Sequence, residues 1–111
     1  MATGRLGTAN ITLASTNTTI YGPVAASTFS VVSVNICNRN SSTAATIRVS
    51  VASSATPGLD EWIEYDTSLV ANGVVERTGL VMKTGDYLVV QVSSATPTVS
   101  VVAFGIETST A

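Results

Sequence analysis

The sequence predicts an all-β protein, a single antiparallel β-sandwich or jelly roll of seven to eight strands. Three observations carry that expectation. Ser, Thr and Val occupy 14, 17 and 16 of the 111 positions, and the β-branched pair is stiff at χ1 and suited to pleated, half-buried surfaces. Turn-forming clusters recur roughly every 8–12 residues, the spacing of sandwiches and jelly rolls. No segment of helical period reaches the length of an ordinary helix. A chain of 111 residues supports one core without disulfides or metals, and a second independent core is not credible.

The elements follow in order. Residues 1–9, with two glycines, read as a flexible N-terminal arm. The sandwich domain covers 10–108, and 109–111 form a polar tail. A short strand is expected at Ile11 to Leu13. Another runs from Thr19 to Val24, where Gly22-Pro23 marks a bulge or a sheet edge. Thr28 to Cys37 carries apolar residues on both faces: Phe29 and Val31 on one, Val32, Val34 and Ile36 on the other. This pattern predicts a central strand. Asn38 to Ser42 reads as a turn, with Ala44 to Ala52 pairing back as a hairpin whose alternation leaves one face wet. A strand is expected over Trp62 to Asp66. Asn72-Gly73 is a strong turn signal. Val74 to Met82 is a strand that Gly79 marks for a bulge. Tyr87 to Val92 and Thr98 to Glu107 complete the set.

Composition also excludes function classes. Charged residues make up only 11% of the chain, against about 25% in an average domain. The five basic residues are scattered, so the clustered Lys and Arg of a nucleic-acid surface are missing. No apolar run approaches a membrane span, and the N-terminus has no signal-peptide core. There is no His, which removes the commonest general base and metal ligand. Cys37, the single cysteine, cannot form an intramolecular disulfide and reads as a small buried apolar residue. The expectations are therefore no enzyme, no catalytic residues, no cofactor, no metal site, no nucleic-acid partner and no membrane.

Two features offer alternatives. Asp60, Glu61, Glu64 and Asp66 are a solvated rim, an intersubunit salt-bridge patch, or a carboxylate set for calcium or hydrolysis. Trp62 and Tyr65, in a chain with six aromatic residues, are core or interface anchors or a platform that stacks on a sugar ring. The sequons at Asn10, Asn17 and Asn40 are chance matches in a Ser/Thr-rich chain.

Three segments carry a resemblance: Ala2-Thr3-Gly4-Arg5-Leu6-Gly7, Ser33-Val34-Asn35-Ile36-Cys37-Asn38-Arg39, and Glu64-Tyr65-Asp66 with Ala71-Asn72-Gly73-Val74-Val75-Glu76-Arg77-Thr78-Gly79. Together with the Val-rich Tyr87 to Val92, they resemble small virion structural proteins of tailed phages, notably those of marine cyanobacteria. The resemblance covers most of the chain and brings no active-site residues. It implies a virion component made in the host cytoplasm that binds other virion proteins and forms a homo-oligomer, with a trimer as one form. A capsid decoration protein fits first, and a neck, collar, tail or baseplate protein is the alternative. A host-glycan-binding module is the rival from another class. On the decoration reading, Arg5 and Leu6 anchor the arm on a neighbour, and Trp62 and Tyr65 are further interaction candidates.

Overall fold

The computed structural model describes residues 2–110 as eight strands and no helix. They are β1 (Thr3–Ile11), β2 (Thr18–Tyr21), β3 (Thr28–Asn38), β4 (Ala45–Ala52), β5 (Trp62–Leu69), β6 (Val74–Met82), β7 (Tyr87–Val92) and β8 (Val99–Ser109). Met1 and Ala111, at the ends of the expected arm and tail, lie outside the described residues.

The strands form two antiparallel four-stranded sheets, ordered β1-β8-β3-β6 and β2-β7-β4-β5. The pairings β1 with β8, β3 with β6, β2 with β7 and β4 with β5 are those of one long hairpin folded at the β4–β5 turn. Rolling that hairpin sends alternate pairs to opposite sheets, which is the jelly-roll arrangement. The core lies between the sheets. Val32, Val34 and Ile36 from β3, Ile47 and Val49 from β4, and Val99 and Val101 from β8 are fully buried there. Each such side chain stabilises the fold by about 1.5–3 kcal/mol relative to exposure.

The arm expected over residues 1–9 is corrected by this arrangement. Residues 3–11 are strand β1, paired with β8 from Thr3 opposite Ile106 to Ile11 opposite Val99. Low hydrophobicity disguised it, because an edge strand needs few apolar side chains when its hydrogen bonds come from a neighbour. Leu6 and Ile11 are the exceptions. Ile11 is in the core, and Leu6 sits at a register shift between Arg5 and Gly7 and packs against the core. Gly7 allows β1 to lie tight against β2, since a methyl group there would overlap the Ile20 carbonyl oxygen. The tail is likewise shorter than expected: Ser109 belongs to β8, and the Thr110 N–H donates to the Ser27 carbonyl at 2.9 Å.

The hairpin expected between Thr28–Cys37 and Ala44–Ala52 is also corrected. β3 pairs with β6 and β8, and β4 with β5 and β7, so residues 39–44 cross from one sheet to the other. Asn38 holds the crossing. Its buried Nδ2 donates to the carbonyls of Thr43, Leu69 and Val70 at 3.0–3.2 Å, and its Oδ1 accepts from the Asn40 N–H at 3.1 Å. A turn rich in Asn and Ser reads the same in sequence whether it joins neighbours or bridges sheets.

Of the other expectations some hold and some do not. β3 is central in its sheet. β2 is an edge strand that ends before Gly22-Pro23. The bulge at Gly79 is present: the register shifts there, and Gly79 adopts φ 69°. The β4 alternation holds only to Val49, after which Ser50 is buried and Val51 half-buried. Cys37 is half-buried on the outer side of its sheet, not in the core.

Candidate functional site

The outer face of the β2-β7-β4-β5 sheet carries Trp62 and Tyr65. In β5, Tyr65 and Asp66 together oppose the single residue Arg48, between the pairs Ile47–Thr67 and Val49–Glu64. This is a β-bulge, with Asp66 in the left-handed region at φ 55°, which Asp tolerates better than most residues. The bulge turns both side chains onto Arg48. The guanidinium lies 4.0 Å from the Tyr65 ring centroid and forms a two-point contact with Asp66, at 2.6 and 3.2 Å. Trp62 meets Tyr65 edge-on, with centroids 5.9 Å apart and planes at 67°. One face of Tyr65 is thus covered by Arg48, and the two rings do not form a flat platform.

The acidic stretch disperses. Glu61 folds back on its loop and accepts from the N–H groups of Gly58 at 2.7 Å and Ser53 at 2.8 Å, which lower its pKa. Glu64 faces the edge of the sandwich. It accepts from the Thr67 hydroxyl at 2.6 Å and pairs with Arg77 of β6, and Arg77 also reaches the Ile63 carbonyl. That contact ties the two sheets together. The Thr67 hydroxyl and then Arg77 hold the Glu64 carboxyl below its ordinary value. Asp66 is held low by Arg48. Three of the four carboxylates thus have three separate partner sets. Among the described residues no group of three or more His, Cys, Asp or Glu side chains is placed to hold a metal ion. The sequon asparagines are engaged too: Asn10 accepts from Arg39, Asn17 from Gln91, and Asn40 from the Ser42 and Thr43 N–H groups.

At one end of the sandwich a cavity of about 40 Å³ is lined by Asn38, Thr43, Thr96 and Thr98, among others. The buried Thr98 Oγ1 has no hydrogen-bond partner among the described residues. The volume suits an ordered water and is far below the few hundred Å³ of a small-molecule site.

The outer face of the β1-β8-β3-β6 sheet is different. The register aligns Thr3, Ile106, Val31 and Val81 in one row across all four strands. Ile106 is 53% exposed, Val31 41% and Val81 69%. The next row holds Arg5, Phe104 and Ser33, with Phe104 37% exposed. Beyond it lie Thr8, Val102, Asn35 and Glu76. An apolar stripe therefore runs across one end of a regular sheet. Of the sequence-based candidates, Arg5 belongs to this face, Leu6 to the chain's own core, and Trp62 and Tyr65 to the opposite sheet. Val31, Val81, Phe104 and Ile106 were not candidates. Their signal was present: β3 and β8 carry apolar residues on both faces, a pattern of strands covered on both sides. Here only one side of each is covered by the chain itself.

No family model, no curated protein and no solved structure matches this chain.

Proposed function

We propose that this chain is a non-enzymatic structural component of a phage virion, a capsid decoration protein that stabilises the shell through protein–protein contacts and acts as a homo-oligomer. The observation that carries the reading is the exposed apolar stripe of Ile106, Val31, Val81 and Phe104 on a full sheet face. Contiguous apolar surface on a small domain marks an interaction site. The low charge of the chain and the sequence resemblance to small virion proteins support the same reading. The jelly roll itself is common to viral capsid and lectin domains and does not choose between them. The surface chemistry favours the structural reading: the aromatic pair that a glycan would stack on is packed edge-on, with Arg48 over Tyr65.

Immunogold labelling of particles of the encoding phage, with antibody raised against this chain, tests the proposal. Label over the shell is expected. Label confined to the neck or tail replaces decoration with the adaptor role, and unlabelled particles overturn the virion reading.

A further inference from the structure

Resting on the proposed structural role, the geometry points to a second copy of this chain as the occupant of the apolar face. The two β1-β8-β3-β6 sheets would pack face to face about a two-fold axis that runs along the strands. Size, polarity and charge lead to this arrangement.

Size comes first. Four strands of nine to eleven residues, at ~3.3 Å per residue and ~4.8 Å between strands, present a face on the order of 600 Å² in projection, before side-chain relief is added. Each partner in a standard stable interface contributes ~800 Å². The face is therefore of the right order for a dimer, and an identical face covers it edge to edge.

Polarity and charge then choose the symmetry. The charged side chains whose strand positions fall on this face are Arg5 on β1 and Glu76 on β6. They sit on opposite edges of the sheet, and neither forms an ion pair with another described residue. A two-fold axis across the strands would set β1 over β1 and β6 over β6, with like charges on the same edge. An axis along the strands sets β1 over the partner's β6. Arg5 of each copy then faces Glu76 of the other, twice, at the two rims. Their rows are two residues apart on β8, at Phe104 and Val102, an offset of ~7 Å that an arginine side chain spans. The same axis keeps position along the strand, so the Ile106–Val31–Val81 row meets its own copy. Such an interface is isologous and resembles aligned sheet-on-sheet packing, with the apolar stripe at one end and the Arg5–Glu76 pairs along the two edges.

Sedimentation velocity of the full chain across a concentration series tests this. The wild type is expected to reach twice the 11.3 kDa chain mass. Arg5→Glu and Glu76→Arg should each weaken the dimer by at least about tenfold in Kd, because each sets like charges against each other. The double variant should recover most of the loss. Val31→Lys should give monomer while circular dichroism stays unchanged, since that side chain faces solvent in the single chain. A monomeric or three-chain wild type, or charge variants that do not rescue each other, overturns the inference. Immunogold labelling of the shell is unaffected by that failure, so a monomer found on the shell removes the dimer and leaves the structural role. A dimer absent from particles does the reverse.

Discussion

Asn38 shows how much one buried polar side chain can organise. It sits at the end of β3 with 1% of its surface exposed and links the crossover, the end of β5 and the following turn through four hydrogen bonds. Removing it takes the amide donor from the carbonyls of Thr43 and Leu69, while Val70 keeps the Gly73 N–H at 2.9 Å, and each unsatisfied group costs about 1–3 kcal/mol when buried. Asn38→Ala should lower stability by about 3 kcal/mol in urea denaturation; a loss below about 1 kcal/mol would show that water replaces it. Titratable residues set a second expectation. Glu64 is held below the ordinary 4.5 by Thr67 and Arg77, and Glu107 by the Tyr21 hydroxyl and the Ala2 N–H. A lowered folded pKa adds stability above 4.5 that disappears as pH falls through the folded value. The thermal midpoint should therefore drop on acidification below about pH 4.5, and Glu64→Gln should flatten that drop. Tyr21 works in the opposite sense: burial, then Glu107, raises its pKa above 10.0, so its contribution fades only as pH rises beyond that value. A midpoint indifferent to Glu64→Gln in acid would remove Glu64 from the account.

At the scale of elements, β1 and β5 carry the main lessons. β1 lies at a sheet edge, yet it covers one side of β8 and packs Leu6 and Ala9 against the core. Deleting residues 2–9 should cost on the order of 2 kcal/mol, since the half-buried Leu6 contact and the pairing with β8 are both lost, and should speed hydrogen exchange of the β8 amides that pair with it. Unchanged exchange in β8 would mean that β1 is an appendage after all. β5 depends on its bulge. Only the extra residue there sets Tyr65 and Asp66 together beside Arg48, and a regular strand would send them to opposite faces. The Trp62–Tyr65–Arg48 cluster is thus a product of backbone register.

The whole molecule is defined by pairings between distant segments. β1 joins β8, and β2 joins β7, so the sheets close only after nearly the whole chain has been gathered. Such topologies pay loop-closure entropy before their contacts form and fold slowly. Refolding in stopped-flow fluorescence of Trp62 should fall in the millisecond-to-second range; a microsecond phase accounting for the full amplitude would contradict it. The same scale governs the proposed dimer. Its edge pairs are exposed and screened by salt within ~10 Å at 0.1 M, so dimerisation should weaken modestly with ionic strength while the apolar stripe persists.

The sequence determined the class of structure, most strand positions and one bulge. Alternation in Thr28–Cys37 and Thr98–Glu107 and the glycine at 79 are local signals, and local signals survive translation into strands. The missing His and the single Cys were equally legible, because they are properties of composition. The tertiary structure alone decided partnership. It made β1 from a segment with little apolar content, because edge hydrogen bonds come from β8. It sent β4 away from β3, because Asn38 joins segments 31 and 32 residues apart. It also divided the two-faced apolar strands into a buried side and an open one. In sequence, Val32 and Val31 are neighbours of the same type; in the fold, one is fully buried and the other is 41% exposed. Alternation records that a strand has two faces, and only the second sheet specifies which of them the chain covers for itself.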